Sequence, residues 1–134
     1  LNSNVDRWQL ARWHPPGVVY LDVGCAKVGT GAPQGDRSQG ISIWSSHLLT
    51  PETELTSHYM FCFSRDFSLD DAEMSKLLYE GSRATFLEDV DFLEAVQANR
   101  VDGSLDGLIH ISADAAQLQA RRMLGSMISA EQAQ

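Results

Sequence analysis

The sequence predicts an α+β domain in which an antiparallel sheet comes first and helices follow. Two observations support this expectation: β-like segments occupy the first half of the chain, and segments with helix-start signals occupy the second half. The chain has 134 residues, of which 43% are apolar, and this is enough for one domain whose core needs no disulfide or metal.

The first predicted strand covers residues 17–23, which are rich in β-branched side chains and lie between Pro15-Pro16 and Gly24. Side chains alternate along a strand, so its aliphatic residues point one way while Tyr20 and Asp22 point the other. A polar face that carries Tyr20 and Asp22 indicates either a lined cavity or open solvent.

Residues 24–40 are rich in Gly, Pro, Ser and Gln, which predicts a long connection. The glycines of Gly29-Thr30-Gly31 are compatible with a phosphate-binding loop, but such a loop needs a helix N-terminus directly after the glycines. The segment Ile41-Ser42-Ile43-Trp44 follows instead, and it is typical of a strand. We therefore do not favour a phosphate site here.

Two further strands are predicted at residues 41–49 and 54–65, joined as a hairpin by Thr50-Pro51-Glu52-Thr53, because proline suits an early turn position. A hairpin that is symmetric about this turn places His47 directly opposite His58. The other face of the second strand is expected to supply aromatic core residues. These are Tyr59, Phe61 and Phe63.

A long helix is predicted from Ser68, which can cap it, to about Asn99. Two Asp-Gly pairs within residues 102–107 predict turns, and residues 108–111 predict a short extended segment. Ser112 then opens a final helix.

The chain carries 18 acidic and 10 basic side chains, a net charge of −8, and its basic residues form no cluster larger than Arg121-Arg122. Such a balance does not favour phosphate backbones or anionic lipids, so we expect neither a nucleic acid nor a membrane partner. No apolar run reaches the roughly 20 residues that span a bilayer, and residues 1–4 do not resemble a signal peptide. These features predict a soluble, cytoplasmic protein.

The two cysteines, Cys25 and Cys62, each lie in an apolar, strand-like stretch. We expect two reduced, buried thiols, from which neither an iron–sulfur nor a zinc site can be built. The sequence starts at Leu1 without an initiator methionine, which predicts either a processed N-terminus or a piece of a longer protein.

Among the acidic residues of the long helix, Asp89 has an unusual position, because Phe86 lies one turn before it and Leu93 one turn after it. A carboxylate on an apolar stripe loses hydration unless it is paired, hydrogen-bonded or bound to a metal. Two interpretations are open: an ion pair or exposed stripe edge, or a functional carboxylate.

Two imidazoles and one carboxylate form the facial ligand set of non-haem Fe(II) oxygenases. The spacing of His47, His58 and Asp89 permits such a site, although a cross-strand histidine pair is more often structural. His14 and His110 have no histidine at helical spacing, so the hairpin pair is the one route to an iron site built from this sequence alone.

Five motifs follow one another along the chain. They are Trp13-His14-Pro15-Pro16-Gly17, Leu48-Leu49-Thr50-Pro51-Glu52-Thr53-Glu54, His58-Tyr59-Met60-Phe61, Phe86-Leu87-Glu88-Asp89 and Leu93-Glu94-Ala95. In order and spacing they resemble the C-terminal catalytic half of Rieske non-haem iron oxygenases, in the group of the vanillate O-demethylase oxygenase subunit and dicamba monooxygenase. The resemblance extends from about Val5 into the final helix.

This resemblance implies a helix-grip (START/SRPBCC-like) fold, in which an antiparallel sheet packs on a long helix and a C-terminal helix follows. It implies that Asp89, in the Glu-Asp motif of the long helix, is the carboxylate ligand of a mononuclear Fe(II). In this interpretation His58 is a structural strand residue. The family's substrate pocket corresponds to Tyr20, Asp22, His47, Cys62 and Glu80.

In such oxygenases a [2Fe-2S] Rieske cluster passes electrons to the Fe(II), which uses O₂ to oxidise an aromatic acid or to demethylate an aryl methyl ether. The implied partners are a reductase that supplies electrons and further subunits of a homotrimer. The family's two histidine ligands and its Rieske motifs lie upstream of anything in this sequence. Residues 1–134 are therefore expected to be the C-terminal part of a catalytic domain, without the Rieske domain and inactive alone.

A different interpretation is a non-catalytic module of helix-grip fold that binds a small molecule. Sheets of this kind enclose cavities with or without a metal. Such a module would bind an aromatic ligand without iron.

Overall fold

The computed structural model of the protein describes residues 4–99 and 109–133. It contains four strands, a long helix, a short 3-10 turn and a second helix, in that order. The strands are β1 (Val5–His14), β2 (Val18–Lys27), β3 (Gly40–Pro51) and β4 (Ser57–Arg65), and the helices are α1 (Ala72–Ala98) and α2 (Ala115–Gln132). This order confirms the predicted α+β class.

The four strands form one antiparallel sheet in the order β1-β2-β3-β4, so each strand pairs with its neighbour in sequence. The connection between β1 and β2 ends at Gly17, whose carbonyl accepts a hydrogen bond from the Leu49 amide at 2.8 Å. A side chain at residue 17 would collide with the Leu49 carbonyl. Glycine at this position therefore allows the turn to lie against β3.

The sequence pattern does not predict β1. Of its 10 side chains only Trp8 is buried, because β1 lies at an edge of the sheet and is polar on both faces. The alternation of apolar and polar residues that identifies a half-buried strand is therefore weak in this segment. Its pairing with β2 runs without interruption from Val5 opposite Lys27 to His14 opposite Val18.

The register of the strand pairs divides the sheet into two faces, because successive side chains alternate. One, which we call the His47 face, is largely apolar and aromatic. The other, the Asp22 face, carries charged and aromatic side chains. The His47 face includes Val19, Leu21, Val23, Ser45, His47, Tyr59, Phe61 and Phe63, and the Asp22 face includes Trp8, Tyr20, Asp22, Ser42, Trp44 and Cys62.

The predicted pairing of the β3–β4 hairpin is wrong. β3 continues through the expected turn, and the connection covers residues 52–56. His47 is opposite Phe61, and His58 is opposite Thr50. The partner of His47 is therefore displaced by an odd number of residues, which puts the two histidines on opposite faces. For the same reason the aromatic side chains of β4 share the face of His47.

The first helix starts three residues later than Asp-Ser patterning at its N-terminus indicates. Asp71 is its cap, since its carboxylate accepts a hydrogen bond from the Met74 amide at 2.9 Å. Ser68, the predicted cap, precedes the helix and has a φ of 46°. A cap needs extended backbone geometry, and Asp71 has it. The predicted final helix is confirmed as a 3-10 turn at Ser112–Asp114 followed by α2.

The segment between the two helices is described only in part. The turns predicted at residues 102–107 lie outside the described residues, as does residue 108 of the predicted extended segment. Residues 109–111 are not part of a strand. Within the described ranges, neither helix is both long enough and apolar enough to cross a membrane.

The chain divides into two compact units. One consists of Leu1–Leu69 with Ala116–Gln134, and the other of Asp70–Ala115. In the first unit the buried side chains are Trp8, Ala26, Ser42, Ser45 and His47. No residue of α1 is buried. The packing of the sheet on the long helix therefore stays a prediction.

Candidate functional site

A chain of hydrogen bonds runs through the middle of the His47 face. Ser45 Oγ lies 2.9 Å from His47 Nε2, and Tyr59 Oη lies 2.6 Å from His47 Nδ1. The strands produce this arrangement, because Ser45 and His47 are two residues apart on β3 and Tyr59 is diagonal to His47 on β4. Each ring nitrogen of His47 is thus within hydrogen-bond distance of a hydroxyl.

His47 is an interior group of this face, and Tyr59 reaches its surface. Burial lowers the pKa of the His47 imidazole, because the charged ring loses hydration. The rings of His47 and Tyr59 are nearly parallel, with 12° between their planes and centroids 5.9 Å apart. Tyr59 keeps 44% of its surface exposed. A neutral imidazole therefore stands behind an accessible phenol.

Apolar side chains surround these hydrogen bonds. Val19 flanks His47 from β2, and Phe61 flanks it from β4. The rings of Tyr59, Phe61 and Phe63 form a continuous row, with successive centroids 6.0 Å and 5.6 Å apart. A surface that is mostly apolar, with a few fixed polar groups, has the composition of a small-molecule site.

On the opposite face, two side chains hold the Asp22 carboxylate. Arg37 donates to Oδ1 at 2.9 Å and to Oδ2 at 2.8 Å, and Trp8 Nε1 donates to Oδ1 at 2.9 Å. The Arg37 hydrogen bonds hold the pKa of Asp22 below its usual value, against the opposing effect of partial burial. Arg37 Nε also donates to the Pro33 carbonyl at 2.7 Å. Asp22 therefore fastens the long β2–β3 connection to the sheet.

Gly24 makes room for this cluster. A Cβ at residue 24 would collide with the Trp8 ring and with the Ile41 carbonyl. The indole therefore lies directly over the glycine, with its Nε1 directed at Asp22. The Arg37 guanidinium lies 5.0 Å from the centroid of the same ring, which adds a cation–π contact.

The sheet brings together three of the five predicted substrate-binding residues. Tyr20 and Cys62 flank Ser46 across the Asp22 face. His47 lies on the other side of the sheet. Tyr20 and Asp22 line a cavity of ≈ 220 Å³, together with Leu10, Arg12, His14, Leu21 and Trp44.

Both cysteines are free thiols, as the sequence predicts. Cys25 is partly buried, whereas Cys62 is exposed, which corrects the expectation that both are buried. The reason is position, because Cys62 lies on β4 at an edge of the sheet. The glycine-rich connection before β3 leads into a strand and not into a helix, so a phosphate loop is not formed there.

The remaining predicted site residues, Glu80 and Asp89, lie on α1 and are both exposed. Phe86 and Leu93, one turn to either side of Asp89, are partly exposed and 61% exposed. In the part of the chain that the structure describes, the Asp89 carboxylate has no hydrogen-bond or ion-pair partner. The interpretation of Asp89 as one half of an ion pair therefore has no support among these residues.

An iron site built from this chain alone is excluded by the sheet. His47 and His58 lie on opposite faces, and His58 Nε2 lies 3.6 Å from Glu52 Oε1 at the surface. Two of the three side chains in the set His47, His58 and Asp89 thus point away from each other. Across residues 4–99 and 109–133, no three His, Cys, Asp or Glu side chains are grouped to hold a metal ion.

Comparison with known proteins identifies the family of this chain. Residues 2–130 match the family described as the vanillate O-demethylase oxygenase C-terminal domain. The chain belongs to this family. Membership in the vanillate O-demethylase oxygenase C-terminal domain family confirms the resemblance that the five sequence motifs carry.

Three curated relatives illustrate the similarity. The toluene-4-sulfonate monooxygenase system iron-sulfur subunit of Comamonas testosteroni is 39% identical over 130 residues, which are 96% of this chain and 38% of that protein. The vanillate O-demethylase oxygenase subunit of a Pseudomonas species is 34% identical over 132 residues, 96% of this chain and 39% of that protein. The dicamba O-demethylase oxygenase component of Stenotrophomonas maltophilia is 32% identical over 135 residues, 98% of this chain and 38% of that protein.

This member of the family thus spans less than two fifths of the length of the relatives it matches. No solved structure matches the chain.

Sequence reasoning missed four residues that the structure places beside the predicted ones. Ser45 could have been found, because it is two positions from His47 and shares its face. Tyr59 depends on the hairpin register, and the predicted register was off by an odd number of residues. Arg37 and Trp8 lie in a connection and in an edge strand, where no periodicity marks them.

Proposed function

We propose that this chain is the C-terminal part of the catalytic domain of a Rieske-type oxygenase. The enzyme would oxidise an aromatic acid or demethylate an aryl methyl ether with O₂ at a mononuclear Fe(II). Family membership across residues 2–130 is the observation that carries the proposal. The names of the relatives support the reaction class, since they include two O-demethylases and a monooxygenase system.

Asp89 is the residue that we assign to the iron. Its carboxylate is an oxygen donor with no protein partner in the described part of the chain, and it projects from the continuous helix α1. It fits the acidic position of a ligand set of two histidines and one carboxylate, which leaves positions on Fe(II) open for O₂. The two histidines are expected outside residues 1–134.

The geometry of the sheet favours the His47 face for the aromatic substrate. Its aliphatic and aromatic side chains exclude water from an aromatic ring, and the neutral His47 contributes a fixed polar group. The Asp22 carboxylate would reach a substrate only after its bonds with Arg37 were broken. The roles of Tyr20, Asp22, Cys62 and Glu80 in substrate binding stay predictions.

The cofactors and partners follow from the same proposal. We expect a [2Fe-2S] Rieske cluster in a part of the protein outside residues 1–134, a reductase that supplies electrons, and a homotrimer. Two printed names support a multicomponent iron–sulfur system, because one relative is called an iron-sulfur subunit and another an oxygenase component.

The test is substrate-dependent O₂ consumption by the full-length, iron-loaded protein with a reductase. Demethylation of 4-methoxybenzoate consumes O₂, two electrons and two protons, and it yields 4-hydroxybenzoate, formaldehyde and water. Oxidation of the ring or methyl group of toluene-4-sulfonate would instead consume O₂ without formaldehyde. We expect O₂ uptake with at least one of these two compounds. Aromatic binding without any O₂ uptake would contradict the proposal and favour the non-catalytic binding module.

A further inference from the structure

We propose that the Tyr59 hydroxyl donates a hydrogen bond to an anionic oxygen of the aromatic substrate, held as a donor by Ser45 and His47. This inference deepens the proposed function and rests on it. It assigns substrate recognition to a residue of the aromatic row, and it makes His47 a positioning residue that acts through Tyr59.

The direction of the hydrogen bonds follows from burial. Ser45 is 5% exposed, and its hydroxyl has His47 Nε2 as its printed partner at 2.9 Å. A buried hydroxyl whose proton has no acceptor costs free energy, so Ser45 donates to Nε2. The imidazole is neutral, because burial lowers its pKa, and its proton then lies on Nδ1.

This tautomer fixes the role of Tyr59. With its proton on Nδ1, His47 donates to Tyr59 Oη across 2.6 Å. The phenolic oxygen accepts that bond, so its own proton is directed away from His47. Tyr59 is 44% exposed on a face that we assign to the substrate. The three residues thus form one donor sequence, from Ser45 through His47 to Tyr59, which ends at the surface of the sheet.

The charges on the His47 face indicate what accepts this bond. Among the paired strand residues of this face, no side chain is acidic. Its charged residues are Arg7, Lys27 and Arg65, all of them basic, in a chain whose net charge is −8. Asp6 and Asp22 both lie on the Asp22 face. An aromatic carboxylate or sulfonate therefore meets no like charge on the strands around Tyr59.

The test compares two probes in the full-length, iron-loaded protein. 4-Methoxybenzoate carries the anionic oxygen, and methoxybenzene has the same ring and methoxy group without it. A hydrogen bond to a charged acceptor is among the stronger ones, so Tyr59→Phe should raise the Kd of 4-methoxybenzoate by about 10- to 100-fold. The Kd of methoxybenzene should change by less than about twofold, because the ring is kept.

Ser45→Ala tests the positioning step. Without the Ser45 hydroxyl, His47 is no longer held in one tautomer and Tyr59 can turn its proton to Nδ1, so the Kd of 4-methoxybenzoate should rise by less than in Tyr59→Phe. Ser42→Ala is the matched control, because Ser42 is a fully buried serine on the same strand whose hydroxyl has no partner among the described residues. It should leave both Kd values unchanged.

Each outcome separates the inference from the proposed function. Selective loss of 4-methoxybenzoate binding in Tyr59→Phe supports the inference. Equal weakening of both probes, or no weakening of either, overturns it while the proposed function stands. If the wild-type protein binds neither probe and consumes no O₂ with 4-methoxybenzoate, both fail together.

Discussion

The two most constrained polar side chains of the sheet, Asp22 and His47, are constrained by opposite physical effects. Asp22 keeps its charge because Arg37 and Trp8 donate hydrogen bonds to it. His47 is kept neutral because it is buried between uncharged neighbours. The first arrangement stabilises the fold, and the second suits a site that orients an uncharged ring.

Arg37→Ala should release the β2–β3 connection from the sheet. The variant loses a bidentate ion pair, a hydrogen bond to Pro33 and a cation–π contact. Because both partners of the pair are partly exposed, we expect a loss of about 1–2 kcal/mol in unfolding free energy. Faster amide exchange in residues 28–39, measured by mass spectrometry, is the accompanying local change. Arg12→Ala is the control, since Arg12 affects Asp22 through its charge without a hydrogen bond, and equal effects of the two variants would contradict this role.

The stability of the protein should depend on pH through His47. The pKa of His47 is lowered from 6.5 in the folded state, so below about pH 6.5 the unfolded chain binds a proton that the folded chain resists. This stability is present above the unfolded pKa and is lost as the pH falls. We expect Tm to decrease between pH 7.5 and pH 5.5 less steeply in His47→Gln than in wild type. His58→Gln, which alters an exposed histidine, should keep the wild-type slope, and an unchanged slope in His47→Gln would refute the assignment.

At the scale of elements, the sequence predicts most of the secondary structure but less of its pairing. Three strands and both helices follow from β-branched runs, turn residues and helix starts. β1 has too few buried side chains for alternation to reveal it. The hairpin register depends on where the chain turns, and a turn at residues 52–56 instead of 50–53 moved His58 to the other face.

Two glycines provide a matched test of the packing. Gly24→Ala should be strongly destabilising, because a Cβ there collides with the Trp8 ring and the backbone of Ile41. Gly81→Ala should stabilise α1 by about 1 kcal/mol, because no atom lies within 4 Å of the added Cβ and alanine favours a helix. Unfolding in urea measures both. A neutral Gly24→Ala would show that Trp8 does not lie against the strand.

At the scale of the whole molecule, the candidate site could be predicted only in part. The motif that contains Asp89 identifies the family from the sequence, because that resemblance depends on order and spacing alone. Which pocket residues share a face depends on register, and the sheet separates His47 from Tyr20, Asp22 and Cys62. Tyr59 and Ser45 join His47 through contacts between strands, which no single segment of sequence contains.

The most direct test of the account is the iron content of Asp89→Ala in the full-length protein. A Rieske cluster holds two irons and the mononuclear site one, so total iron should fall from about three to about two per protomer. The visible spectrum of the cluster should stay unchanged. Asp91→Ala, which removes an exposed carboxylate from the same helix, should keep all of the iron. Full retention of mononuclear iron in Asp89→Ala would contradict the assignment of this chain's carboxylate to the metal.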